Sequence, residues 1–264
     1  MRIAMLGFLG SHIVRLWLNC RDTAAISTAV LTAGCKPSSW SRAVRDVLGK
    51  QIYFTGVDAL GLIIVIGLAT GLSVVAQVQA WLLQIGQSEL IGSVLVALLI
   101  REAGPLIVNF IVIGRSGTAM ATELAAMNIR NEVRSLEAQG VDSLVYLVMP
   151  RAVGCALSVF GLAIFFNAVS LTTGLFMAVS RGAVGTDIVS FGTSVLANIS
   201  ATDIANLLLK TLLGGFLTGI ICCRAGLSGG GKITDIPRAG TSGVVSSLAA
   251  LIVLSALISI ATYA

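Results

Sequence analysis

The segment that most constrains this chain runs from Ala152 to Ser180, 29 consecutive residues without a charged side chain. As a helix rising about 1.5 Å per residue, it exceeds the roughly 30 Å hydrocarbon core of a bilayer. In a soluble fold it would have to be covered on every side. The rest of the chain cannot supply that cover: 56% of its residues are hydrophobic and only 11% are charged, where soluble domains carry about a quarter. The sequence therefore predicts an all-α polytopic membrane protein. A soluble enzyme, a nucleic-acid binder, a disulfide scaffold and a disordered chain are disfavoured on the same ground.

Five apolar stretches are long enough to span, at about 56–81, 90–113, 145–171, 203–223 and 244–261. The third is over-long, so it tilts, projects or breaks at Gly174. Residues 1–50 contain no span. Ile3 to Leu18, with His12 and Arg15 among apolar residues, reads as an amphipathic interfacial helix, and 41–53 as a second short one leading into the bilayer. Residues 1–50 thus form an N-terminal segment and 51–264 the membrane domain. The apolar piece Ile188 to Ile199 is too short to cross. No internal repeat is evident.

With the N-terminus inside, 14 of the 17 basic residues fall in or beside cytoplasmic segments, and only Arg181 is exterior. This bias predicts N-in, C-out. His12 is the only histidine and the five cysteines form no CxxC, so no metal site and no cofactor are expected. Gly226 to Ile233 nearly spells a phosphate-binding loop. It lacks a preceding strand and a Ser or Thr after Lys232, and reads as a basic turn.

Charge inside a span is costly and is compensated by a partner or a cavity. Arg101 and Glu102 sit in the second stretch, followed by Gly104 and Pro105. Pro105 removes a backbone donor and kinks the helix there. Glu102 and Asn109 lie seven residues apart, on nearly one face. These residues are either a structural ion pair or a substrate path. The expectation is that Glu102 serves passage and Arg101 stability. Asp203, Asn206 and Lys210 share a stripe of the fourth stretch, with Lys210 snorkelling outward. Gly67-xxx-Gly71 and Gly215-xxx-Gly219 permit close helix contact but are a weak signal in a chain with 29 glycines. Residues 118–140 read as a cytoplasmic amphipathic helix, with Leu124, Met127, Val133 and Leu136 between acids including Glu123, Glu132 and Glu137. Such a helix suits docking of a soluble motor subunit.

The ordered series Leu99-Ile-Arg101-Glu102-Ala-Gly104-Pro105, Gly114-Arg115-Ser-Gly117, Glu123-Leu-Ala-Ala-Met127, Leu136-Glu137-Ala-Gln-Gly140-Val-Asp142 and Pro150-Arg151 resembles the MlaE (YrbE) permeases. Arg45-Asp-Val-Leu, Gln51-Ile-Tyr53-Phe-Thr-Gly56-Val and Lys210 fit as well. The likeness covers roughly 42–223. The chain departs from the family at Asn131, where a Glu is usual, at Ser143, where a Pro is usual, and in the last span, which lacks the usual Asp. The resemblance implies a homodimeric, non-enzymatic permease of a bacterial inner membrane, for lipid, typically phospholipid. It implies a separate ABC ATPase, a ring of MCE-domain proteins and a STAS-type accessory subunit as partners. Arg101, Glu102, Gly104, Pro105 and Asn109 are then expected along the lipid path, and Glu123, Met127, Glu132, Leu136, Glu137 and Gly140 at the ATPase contact. An ion-coupled secondary transporter, an intramembrane enzyme and a passive lipid-binding scaffold are the competing readings.

Overall fold

The computed structural model describes residues 21–86, 91–180, 188–229 and 232–263. The expected interfacial helix at Ile3–Leu18 lies outside them. The described residues are helical, without strands. Five helices are long and apolar enough to cross a membrane, as the five apolar stretches require. The protein is a multi-pass membrane protein.

Residues 21–34 form α1, a helix that hydropathy alone does not announce. Val30 is buried in a cluster with Val44, Leu124, Val133 and Leu147, and Trp40 donates its indole N–H to the Gly34 carbonyl at 2.8 Å. Helix α2 (Arg42–Thr55) starts where Ser41 Oγ accepts from the Val44 amide, satisfying one of the free donors of a first turn. A short 3-10 turn, Val57–Ala59, joins it to α3 (Leu60–Ile85).

The second spanning helix, α4 (Ile91–Ile129), is much longer than the expected 90–113. It contains two π-helical stretches, Val96–Ala103 and Ile113–Gly117, on either side of the α-helical Gly104–Val112. The expected bend near Pro105 therefore takes the form of wider helical turns beside it. The expected single helix over 118–140 is two elements. Thr118–Ile129 continues α4, and α5 (Glu132–Ala138) is a separate short helix. The break falls at Asn131, which has φ 58°. Asn is the side chain that tolerates this left-handed conformation best after Gly, which gives the departure from the family's Glu a local reason. Gly140, at φ 79°, ends the segment.

Helix α6 (Leu144–Ser180) opens with a π turn at Leu144–Val148. It runs unbroken through Gly174, where a Cβ would lie 2.2 Å from Val75 Cγ2. Gly174 is a packing position and not a break. Then follow α7 (Ile188–Ala197), α8 (Ala201–Leu227) and α9 (Asp235–Tyr263). Helix α6 packs against α3 on one side and α8 on the other, α8 packs against α9, and the 118–129 end of α4 packs on α8 and α9.

Small residues set these distances, because no hydrophobic force draws helices together in lipid and van der Waals fit has to do so. A Cβ on Gly71 would sit 2.4 Å from the Ser170 carbonyl oxygen, and one on Gly219 would sit 2.6 Å from Ala152 Cα. Both GxxxG pairs are thus contact sites. The phosphate-loop look-alike has no strand before it. Gly226 ends α8 against Ala121 and Leu124, and residues 230–231 are outside the described set.

Candidate functional site

The charged residues of α4 meet the polar stripe of α8 near one end of the bundle. Arg101 lies ten residues into α4, about 15 Å along the axis. That is about where the expected span placed it from this end; the helix is longer only on the far side, so Arg101 is no longer at its middle. That level coincides with the first turns of α8 and the last turn of α9.

Asp203 is the centre. Its side chain is fully buried, and Oδ1 stands 2.6 Å from Arg101 Nε. Tyr263 donates its hydroxyl to the same oxygen at 2.9 Å, and its ring lies under the Arg101 guanidinium at 4.8 Å. Oδ2 accepts from the Ser200 amide at 3.0 Å and the Ser200 hydroxyl at 2.9 Å. With Ser200 Oγ accepting from the Asp203 amide, this is a capping box at the start of α8. One carboxylate thus fixes a helix start and neutralises a charge from another helix.

Lys210, two turns on, is 2% exposed in its side chain and sits 2.8 Å from Glu102 Oε2. This overturns the snorkelling reading: the ammonium points into the protein because a carboxylate and a carbonyl await it there. That carbonyl belongs to Arg101, which accepts from Lys210 Nζ at 3.0 Å and from Asn206 Nδ2 at 3.4 Å. Arg101 lies in the π-helical stretch that ends two residues before Pro105, a residue with no N–H to give to the ladder. The lysine thus supplies a charged donor to a carbonyl at the level where the regular α-helical ladder is interrupted. Ser259 of α9 donates to Glu102 Oε1 at 2.7 Å.

Arg101 and Glu102 are both in ion pairs within the chain, yet their side chains remain 32% and 42% exposed. Glu102 and Asn109 do share a face, the one toward α8 and α9. Asn109 is buried there, 2.8 Å from where a Gly214 Cβ would lie, and bonds the Pro105 carbonyl through Nδ2. Gly104 and Pro105 are buried as well; a Cβ on Gly104 would meet Asn167 Oδ1 at 2.4 Å. Of the five expected path residues, Arg101 and Glu102 reach the open side of the network. Asp203, Asn206 and Lys210 were visible in sequence as a stripe but not as their partners. Ser259 and Tyr263 gave no signal, since a lone Ser or Tyr near the end of an apolar helix is ordinary.

The second set of expected residues lies at the other end. Glu123 pairs with Arg151 at 3.0 Å and Glu132 with Arg130 at 3.1 Å. Glu137 is exposed on α5 and accepts from Ser143 Oγ at 2.8 Å. Met127 and Leu136 are partly buried against the cluster that includes Leu124 and Val133. Gly140 provides the left-handed turn after α5. The stripe therefore holds α5 to the bundle and leaves the Glu137 side open.

A model of the Permease MlaE family matches residues 48–261 of this chain. A probable ABC transporter permease protein of Rickettsia typhi is 24% identical over 98% of this chain and 97% of its own length. A probable ABC transporter permease protein of Synechocystis is 28% identical over 77% of each. The chloroplastic protein TRIGALACTOSYLDIACYLGLYCEROL 1 of Arabidopsis thaliana is 26% identical over 77% of this chain and 58% of its own length. The five spanning helices and the family match over most of the chain agree, and the protein belongs to the MlaE permease family.

Proposed function

We propose that this chain is the membrane subunit of an ABC transporter that moves lipids, with ATP hydrolysis on a partner chain. The carrying observation is the chemistry of the network. Two charged side chains, Arg101 and Glu102, stay partly open among helices apolar enough to cross a membrane, while their partners Asp203 and Lys210 are buried. A head group has polar partners there, and acyl chains have apolar walls. An Arg fork suits a phosphate, which favours a phospholipid. The relatives named as ABC transporter permeases support the transporter class. The Arabidopsis relative carries the name of a glycerolipid, which supports the substrate class.

In this reading two copies associate, an ABC ATPase docks on α5, and an MCE-domain conduit receives lipid on the opposite side. A STAS-type subunit belongs to the same assembly. Helix α9 supports the dimer. It is the least covered span, with Val245, Ile252, Val253, Leu257 and Ile260 between 56% and 66% exposed. The test is purification of the full complex and reconstitution with fluorescent phospholipid. ATP-dependent, vanadate-sensitive lipid transfer is expected. Proton-gradient-driven transfer without ATP would favour the ion-coupled alternative instead.

The orientation is N-in, C-out. With Cys20 and Cys35 replaced by Ser, Leu196→Cys is expected to react with an impermeant maleimide added outside, and Ile233→Cys is not. Both positions are well exposed, at 70% and 77%. The opposite labelling would invert the topology. Charge reversal at Glu137 is expected to lower ATPase association about tenfold or more, the scale of one lost charge-assisted contact, and to leave the melting temperature unchanged. Unaltered co-purification and ATPase stimulation would remove α5 from the contact.

A further inference from the structure

At the end of the bundle opposite the charge network, α2, the 118–129 end of α4 and the start of α6 border an open cleft of about 610 Å³. That volume is typical of a small-molecule site. Val47, Phe54 and Ala119 give it apolar walls, while Lys50, Glu123 and Arg151 give it charge. The Arg151 side chain is only 7% exposed. It is held in place by donating to the Leu147 carbonyl and to Glu123 Oε1, each at 3.0 Å. A guanidinium has five N–H donors, so these two bonds fix it without exhausting it. Glu123 is itself 58% exposed and offsets one positive charge. Lys50 is exposed on the cleft rim and has no ion pair among the described residues. The lining therefore carries net positive charge with one cation already positioned and one free to close over a ligand.

The cleft lies at an aromatic boundary. Tyr53, Phe54 and Val57 are 61%, 37% and 49% exposed at the junction of α2 and α3. Arg42, Arg45 and Lys50 are exposed on α2. Aromatic side chains and lysines or arginines gather at the head-group level of a bilayer. Phe54 is fixed there, because Arg115 donates to its carbonyl at 2.8 Å and stacks over its ring at 5.0 Å. A cleft at head-group depth that is cationic inside and apolar toward the bilayer has the pattern of an anionic amphiphile.

We propose that this cleft binds the phosphate of an anionic phospholipid between Lys50 and Arg151, with the acyl chains running along Phe54 and Val57. The leaflet is the cytoplasmic one under the orientation proposed above. The site is separate from the Arg101 network and does not depend on that network carrying lipid.

The test uses the full chain in nanodiscs with a photoreactive benzophenone residue at Val47. Crosslinking to phosphatidylglycerol is expected to exceed that to phosphatidylcholine about tenfold, the scale of one charge-assisted contact. Lys50→Glu is expected to remove that excess and Lys50→Arg to keep it. Thr122→Trp, which fills the cleft, is expected to lose both crosslinks. Glu102→Gln, in the distant network, leaves them unchanged, so failure of the transport reading and failure of this one are told apart. Millimolar inorganic phosphate is expected not to displace the lipid. Displacement by phosphate would make this a free-anion site and overturn the proposal. Equal crosslinking of both lipids, or full crosslinking in a Lys50→Glu protein that melts normally, would overturn it as well.

Discussion

Glu102→Ala is expected to destabilise the protein by about 3 kcal/mol, and Lys210→Met by clearly less. The asymmetry follows from burial. Lys210 is 2% exposed, whereas Glu102 is 42% exposed. Removing the carboxylate leaves an ammonium inside the bundle with only the Arg101 carbonyl and no counter-charge. Removing the lysine leaves a carboxylate that solvent can still reach and that Ser259 still serves. The double variant Glu102→Leu with Lys210→Met is expected to recover most of the loss, since a buried pair replaced by apolar groups is often neutral. Thermal melts of the four proteins in one detergent measure this. If Lys210→Met is the more damaging single change, the lysine acts mainly by satisfying the Arg101 carbonyl and not as partner of Glu102.

The second large effect concerns helix approach. Gly71→Ala and Gly219→Ala are each expected to cost about 2–3 kcal/mol. The added methyl groups would meet the Ser170 carbonyl oxygen at 2.4 Å and Ala152 Cα at 2.6 Å. Backbone atoms cannot step aside as a side-chain tip can, so α3 or α8 must move off α6. Gly61→Ala and Gly161→Ala are the controls. Nothing lies within 4 Å of a Cβ at either position, and alanine in a helix interior is favoured over glycine by up to about 1 kcal/mol. These two pairs are expected to differ in sign. Equal melting temperatures for all four variants would mean that the helices are not seated at the distances described.

Much of the fold was legible along the chain. Five apolar stretches became five spanning helices, Ser41 began α2, and the short Ile188 piece became a separate helix. The reason is that lipid solvation and backbone hydrogen bonding act on each segment by itself, so hydropathy and helix length are sums over neighbours in sequence. The costly residues were legible for the same reason: Arg101 and Glu102 stand out because any charge within an apolar span needs compensation.

What compensates them was not legible. Arg101 meets a carboxylate 102 residues away, and Lys210 turns inward to Glu102 and to the Arg101 carbonyl, both on a different helix. The length of α4 was hidden too, since Thr118–Ile129 is polar enough to read as a loop helix until α8 and α9 are seen to bury it. Glycine patterns could not be ranked, because a GxxxG spacing permits close approach without naming the surface approached. Hydropathy along the chain is enough to mark five helices long and apolar enough to cross a membrane and the side chains that are expensive there. Which helices touch and which charge answers which is settled by packing, because those energies depend on distances of a few ångströms between residues that the chain order keeps far apart.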